Sequence, residues 1–111
     1  MSQPRHNLRE VQALAKADEF VVGMTRAAAY FDDAVAARAA IASAIGALGP
    51  MAFAHTDQMP SGPFDVYGVR REDAGWYLKL AIVHMQGRRL FVVSFHPLEF
   101  PLQTRGGTVQ P

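Results

Sequence analysis

Cysteine is absent from this 111-residue sequence, and no single sign of charge dominates it. Without cysteine, a disulfide framework and a thiolate metal site are excluded, and the composition fits a reducing cytoplasm, where we expect the protein to reside. Eleven Lys and Arg residues oppose ten Asp and Glu residues, which gives a formal net charge of +1. The overall charge therefore predicts no polyanionic partner, and only a local basic surface could attract one.

Long apolar runs are also lacking. The N-terminal segment MSQPRHNLRE has no apolar stretch typical of a secretory signal. Residues 34–54 carry little charge, but Arg38 interrupts them and Gly49-Pro50 breaks them, whereas a membrane-spanning helix needs about 20 apolar residues. The sequence shows no Gly-rich phosphate loop and no convincing metal-ligand spacing of Asp, Glu or His. We therefore expect no membrane span, no metal and no cofactor.

Half of the residues are apolar, which suits one globular domain of this length. We expect a single domain over residues 1–111, with an ordered core at about 7–102, a loose start and a flexible tail at about 103–111. Its first half is helical. Asn7 and Glu10 form a capping-box-like pair before a helix that runs to about Ala17. Further helices are predicted from Thr25, and from Asp32 or Asp33 to residue 48, where Gly49-Pro50 follows.

After this break the apolar period changes from that of a helix to that of a strand. Strands are predicted at 51–56 and 64–70, with a loop at 57–63 between them. Residues 75–96 then predict a long antiparallel hairpin that turns at Gln86-Gly87. The layout indicates an α+β domain, in which N-terminal helices pack on one face of a mostly antiparallel four-stranded sheet.

The predicted hairpin register gives the sheet two different faces. It places apolar pairs on one face, which should build the core: Leu78–Phe95, Leu80–Val93 and Ile82–Phe91. On the other face Tyr77 opposes His96, and Lys79 opposes Ser94. Directly opposed strand residues have Cβ atoms roughly 4.5–5.5 Å apart, so this polar corner could act on one substrate.

The hairpin and the segments before it resemble one known family. The matching segments are DVY at 65–67, YLKLAIVH at 77–84, VVSF at 92–95 and LREVQALAKA at 8–17. In this order they are similar to the motility quorum-sensing regulator (MqsR) toxins, which are ribosome-independent mRNA interferases with a RelE-like bacterial ribonuclease fold. The resemblance implies an endoribonuclease of a type II toxin–antitoxin system. It also implies two partners, an mRNA substrate and an antitoxin with a zinc-binding domain and a helix-turn-helix domain.

The family's catalytic residues are two lysines, a glutamine and a tyrosine, and this sequence keeps them in part. Tyr77 matches the tyrosine, His96 replaces the lysine after VSF, and Phe64 replaces the glutamine before DVY. His55 is the nearest polar candidate for the other lysine. The resemblance therefore predicts a histidine-based variant with His96, Tyr77 and His55 as catalytic groups.

Cleavage without a metal uses the substrate's own 2′-OH as nucleophile, and it needs a base, an acid and a charge on the phosphate. Histidine suits the acid and base roles near neutral pH. The candidates for RNA and phosphate binding are Lys79, Ser94 and Arg70. Which histidine is the base and which the acid stays open.

Two other functions also remain open from the sequence. The chain could be a non-catalytic protein that kept the toxin fold and its antitoxin-binding surface, and Phe64 in place of glutamine favours this alternative. It could also be a small RNA-binding module without chemistry, although the nearly neutral charge disfavours strong nonspecific binding. A strand-ending residue such as His96 is commonly a surface side chain, and Lys79 could simply extend to solvent.

Overall fold

The structure is a computed structural model that describes residues 3–23 and 29–111. Two helices and seven strands follow one another in these residues, and a single 3-10 turn at Pro50–Ala52 precedes the second strand. The elements are α1 (Leu8–Lys16), β1 (Phe20–Val22), α2 (Ala34–Gly46), β2 (Phe53–Met59), β3 (Gly62–Arg71), β4 (Ala74–His84), β5 (Arg88–Pro97), β6 (Leu102–Thr104) and β7 (Gly107–Val109).

The predicted α+β class is confirmed, but the sheet is mixed. Its strand order is β1-β5-β4-β3-β2, and β2 to β5 form the antiparallel meander expected from the sequence. The additional strand β1 pairs in parallel with β5, Phe20 opposite Leu90. A three-residue strand carries little periodic signal, and its partner lies far along the chain. The sequence therefore indicated only a short extended run at this point.

Both described helices begin at the predicted caps. The side chain of Asn7 accepts a hydrogen bond from the Glu10 amide at 3.1 Å, and that of Asp33 accepts one from the Ala36 amide at 2.8 Å. The helix predicted from Thr25 starts outside the described residues. α1 and α2 cover one face of the sheet, where their buried apolar residues join those of the strands in one core. The members of this core from the helices are Val11, Leu14, Ala15, Ile41 and Ile45.

The β4–β5 register is confirmed at one end of the hairpin and wrong at the other. Tyr77 opposes His96 and Lys79 opposes Ser94, as predicted. Beyond Lys79 the register shifts by one residue, so Leu80 opposes Val92 instead of Val93. The cause is an extra residue at a β-bulge, together with a three-residue loop at 85–87.

Because of the bulge, the β5 residues that precede it lie on the opposite faces of the sheet from those predicted. Leu90 and Val92 are fully buried in the core under the helices. Phe91 was expected there, but it lies on the opposite face, where its ring is 5.9 Å from that of Phe64. Strict alternation cannot predict a bulge, because the inserted residue changes the face of every residue on one side of it.

The loop predicted at 57–63 is wrong. β2 continues to Met59 and β3 begins at Gly62, so only a two-residue turn at Pro60-Ser61 joins them. Pro, Ser and Gly do mark this turn, but the polar residues of β2 were mistaken for part of it. Asp57 belongs to the strand and pairs with Phe64.

The expected loose start does not hold for residues 3–6. The amides of Arg5 and His6 donate to the two carboxylate oxygens of Asp65 at 3.0 and 2.9 Å. The His6 ring lies between β3 and β4, where Nδ1 accepts from the Ile82 amide and Nε2 lies 2.9 Å from the Pro63 carbonyl oxygen. Since a carbonyl can only accept, Nε2 carries the proton. The imidazole thus extends the hydrogen bonding of the two strands.

The expected flexible tail at 103–111 also differs from the structure. β6 and β7 form a hairpin, and the Arg105 amide donates to the Phe53 carbonyl at 2.9 Å. The hairpin packs on the sheet face opposite the helices, over Gly68 and Gly75. The close approach requires these two residues to lack a side chain. The TRGGTVQP composition suggested a tail because it is polar and rich in glycine.

We predict that Gly75→Ala lowers the free energy of unfolding by about 1–3 kcal/mol, the usual cost of overpacking. A Cβ at this position would overlap the Gln110 carbonyl oxygen and lie 2.9 Å from both Leu98 and Val109. Urea denaturation measures the change. Gly49→Ala is the matched control, because an added Cβ there meets nothing within 4 Å. Equal stability of the two variants would contradict the prediction.

Within the described ranges, no helix is long and apolar enough to cross a membrane.

Candidate active site

The sheet face opposite the helices carries the polar corner predicted from the sequence. Tyr77 on β4 and His96 on β5 are directly paired, and their rings stack with centroids 5.0 Å apart and planes 13° from parallel. Both side chains are half-buried. Because a strand pair fixes both backbones, the two rings are held rigidly at the site.

Backbone hydrogen bonding sets the tautomer of His96. Its Nδ1 lies 2.9 Å from the Pro97 carbonyl oxygen. A carbonyl oxygen only accepts, so Nδ1 carries the hydrogen of this bond. In the neutral imidazole Nε2 then keeps the lone pair and can take a proton from a substrate.

A second polar group lies on the same face and joins β2 to β4. Asp57 contacts His55 Nε2 at 3.1 Å through Oδ1 and Lys79 Nζ at 2.9 Å through Oδ2. The hydrogen bond from Lys79 lowers the pKa of Asp57, and the charges of Lys79 and His55 lower it further, against the opposite effect of desolvation. Asp57 was not predicted as a site residue, because it falls within the loop that the sequence predicts at 57–63.

The structure separates His55 from His96. Residues Val66 and Lys79 lie between His55 and Ser94 in one row across the sheet. Adjacent strands lie about 4.8 Å apart, so three spacings put the backbone of His55 roughly 14 Å from β5. His55 is thus placed with Asp57 and not beside the Tyr77–His96 stack. Lys79 is closer, two residues along β4 from Tyr77, or roughly 7 Å.

Ser94 and Arg70 take different positions relative to this corner. Ser94 pairs with Lys79 and is buried, with 9% of its surface exposed. Arg70 is exposed near the end of β3, paired with Gly75. Alternation along β3 puts Arg70 on the same face as Tyr77 and directs Arg71 to the helix side. There the Arg71 guanidinium lies 4.9 Å from the Trp76 ring centroid.

We predict that Asp57→Asn changes stability in a pH-dependent way. The folded protein holds the pKa of Asp57 below its ordinary 3.8, so the carboxylate stabilises the fold above that range. This contribution is lost as the pH falls through the lowered pKa. At neutral pH we expect the Asp57→Asn substitution to cost about 0–1 kcal/mol, because solvent screens an ion pair whose carboxylate is 37% exposed.

Urea denaturation at pH 7 and at successively lower pH tests this prediction. The difference between Asp57→Asn and the wild type should narrow as the solution is acidified. Asp32→Asn is the control, since Asp32 is exposed. A difference for Asp57→Asn that stays constant to the lowest pH would contradict the prediction.

The DVY segment at 65–67 has a structural role, because all three of its side chains are buried. The Asp65 carboxylate accepts hydrogen bonds from the amides of Arg5 and His6 and, at 2.7 Å, from the Thr56 hydroxyl. Burial and the nearby Asp65 charge raise the pKa of Tyr67 to about 12, although Arg105 opposes the shift. These residues hold the sheet and the N-terminal segment together beneath the site.

The C-terminal segment forms one wall beside the polar corner. A pocket of about 250 Å³ lies between Tyr77 and His96 on one side and residues 98–102 on the other. Across residues 3–23 and 29–111, no three His, Cys, Asp or Glu side chains are grouped so that they could hold a metal ion.

No family model, no curated protein and no solved structure matches this chain.

Proposed function

We propose that this protein is an endoribonuclease that cleaves single-stranded mRNA by attack of the substrate's 2′-OH, without the help of a metal ion. The observation that carries the proposal is the Tyr77–His96 stack, in which the Pro97 carbonyl leaves Nε2 of His96 as the proton acceptor. The reaction requires a base and an acid near one phosphodiester, and this pair offers an imidazole and a phenol side by side. The stack is also open to a pocket, so a substrate has access to it.

In this mechanism, each group has one task. His96 Nε2 takes the proton from the 2′-OH, the oxygen attacks the adjacent phosphorus, and a 2′,3′-cyclic phosphate forms. The bond from phosphorus to the 5′-oxygen breaks as the cyclic phosphate forms, and the Tyr77 hydroxyl gives its proton to the leaving 5′-oxygen. Lys79 neutralises the negative charge that develops on the phosphate. Because Lys79 is paired with Asp57, the phosphate competes with the Asp57 carboxylate for the Lys79 ammonium group.

The biological setting follows from the resemblance to the MqsR toxins. We propose a cytoplasmic toxin of a type II toxin–antitoxin pair, with a RelE-like fold and an antitoxin partner that has a zinc-binding domain and a helix-turn-helix domain. The mixed sheet with helices on one face and polar residues on the other supports this setting. His55 and Asp57 are then positioned to contact RNA farther along the same face.

One observation favours a second function, that of a non-catalytic protein which binds the antitoxin. Phe64 stands where the family has a catalytic glutamine, and it is only 3% exposed against Phe91. An aromatic ring buried in this way cannot hydrogen-bond a phosphate or a base. An intact antitoxin complex with no RNA cleavage would identify this second function.

The test is incubation of the purified protein with a long single-stranded RNA in EDTA. We expect discrete fragments that end in a 2′,3′-cyclic phosphate. A matched substrate with 2′-deoxynucleotides at the cleaved positions is the control, because it lacks the nucleophile and should stay intact. Undigested RNA, or equal cleavage of the deoxy substrate, would overturn the mechanism.

A further inference from the structure

The pocket beside the Tyr77–His96 stack has two features that the cleavage mechanism does not use. Its outer wall is a short segment, residues 98–102, that runs from the end of β5 to the first residue of β6. This segment presents Phe100 with 75% of its surface exposed. An aromatic ring so exposed at the rim of a pocket is free to stack on a planar ligand.

The dimensions of the pocket limit what it can hold. Its volume of about 250 Å³ is below the roughly 300–1,000 Å³ of pockets that take drug-sized ligands. There is thus room for one heterocyclic ring system. One side of the pocket is formed by the flat rings of Tyr77 and His96. The other side is formed by apolar side chains, those of Leu98, Pro101 and Leu102. Such surfaces favour a flat and partly apolar group.

One acidic side chain adds a preference in hydrogen bonding. Glu99 lines the same pocket, and an ionised carboxylate only accepts hydrogen bonds. It therefore pairs with an amino group and is repelled by a carbonyl oxygen. Adenine, cytosine and guanine each carry an exocyclic amino group. Uracil carries carbonyl oxygens at those positions, and they lie on both sides of its one edge donor, N3–H, so a carboxylate that approaches this donor is repelled by them.

We infer that this pocket binds one nucleobase of a single-stranded RNA, stacked on Phe100 and next to the phosphodiester that reaches His96, and that Glu99 selects a base with an amino group. The inference rests on the proposed ribonuclease function and deepens it, because it assigns the base recognition to residues 98–102. Single-stranded RNA is recognised in this way elsewhere, with unstacked bases held on aromatic rings and read along their edges.

The test measures binding and leaves cleavage out. Fluorescently labelled 2′-O-methyl tetranucleotides of adenine, cytosine or uracil are titrated with the full-length protein at constant low salt. Their blocked 2′-oxygen prevents the reaction. We expect adenine and cytosine oligomers to bind more tightly than the uracil oligomer.

Two variants then probe the pocket. Phe100→Ala should weaken binding of the adenine oligomer about 5- to 100-fold, the usual effect of losing one base–aromatic stack. Glu99→Gln should reduce the preference over uracil, because the amide can also donate to a carbonyl oxygen. Val35→Ala is the matched control, since Val35 is 77% exposed and lies on α2. It should bind like the wild type.

The results separate this inference from the proposed function. If RNA is cleaved but Phe100→Ala binds and discriminates as the wild type does, the base pocket is wrong and the ribonuclease stands. If RNA stays intact but oligomers bind through Phe100, the pocket stands and the enzyme is wrong. If no oligomer binds, the pocket is not a nucleobase site and the inference is wrong.

Discussion

The His96→Ala variant should cleave single-stranded RNA about 10²–10⁴ times more slowly than the wild-type protein, the usual loss when a general base is removed. The variant loses Nε2, the atom that the Pro97 hydrogen bond leaves as a proton acceptor. Since His96 lies one residue before the end of β5 and is half-buried, we expect the variant to fold. Initial rates on a short RNA with one cleavage site measure the effect.

Two further observations distinguish a catalytic histidine from a structural one. Added imidazole should restore part of the cleavage rate of His96→Ala, because a free base can enter the vacated space. If His96 only supported the packing of the strands, imidazole would not act as a base there and the rate would not recover. The matched control is His84→Ala at the exposed end of β4, which should keep the wild-type rate. Tyr77→Phe keeps the ring stack and removes only the hydroxyl, so its rate isolates the role of the phenol. Equal rates for the His96 and His84 variants would contradict the assignment.

The Asp65→Ala variant should lose about 3–5 kcal/mol of its free energy of unfolding. Hydrogen bonds to a charged group contribute about 1.5–3 kcal/mol each and three of them share this acceptor, but their full sum is not lost because the part-buried donors regain water in the variant. The carboxylate is fully buried, and its partners are the amides of Arg5 and His6 and the hydroxyl of Thr56. The variant leaves these three donors without their acceptor. Urea denaturation measures the loss.

Thr56→Val provides the graded comparison for Asp65. It removes one of the three donors and keeps the shape of the side chain, so we expect a loss of about 1.5 kcal/mol, the lower end of the range for such a bond, because Thr56 is only half-buried. Limited proteolysis gives a local readout, because Asp65→Ala should expose the N-terminal segment to cleavage while Thr56→Val should not. A loss below that of Thr56→Val would show that Asp65 does not anchor this segment.

Local chemistry made much of the fold predictable. Asn7 and Asp33 cap the helices because their side chains reach the free amides of the first turn, and this depends only on neighbouring residues. Alternation likewise predicts that Tyr77 and Lys79 share one face of β4. Their pairing with His96 and Ser94 agrees with the predicted register because the bulge after Lys79 offsets the three-residue loop at 85–87.

The features that the sequence could not predict depend on contacts between distant parts of the chain. The bulge after Lys79 and the pairing of β1 with β5 have no local signature. The polar segments at both ends of the chain showed no sign of ordered structure in the sequence. Their contacts are with Asp65 for the N-terminal segment and with Gly68 and Gly75 for the C-terminal hairpin, and none of these three residues looks unusual within a predicted strand. Asp57 was missed for a related reason, since its link to His55 and Lys79 exists only when three strands are assembled.

The parallel strand β1 has a consequence for synthesis on the ribosome. Residues 20–22 leave the ribosome before the strands β2 to β4, but they pair with residues 90–92 of β5, which are made after all three of those strands. The amides of Arg5 and His6 likewise need Asp65. Strand β1 therefore cannot complete its native contacts until β5 has emerged. If the proposed toxin activity holds, the chain gains a complete sheet, and with it the Tyr77–His96 pair, only after β5 has been synthesised.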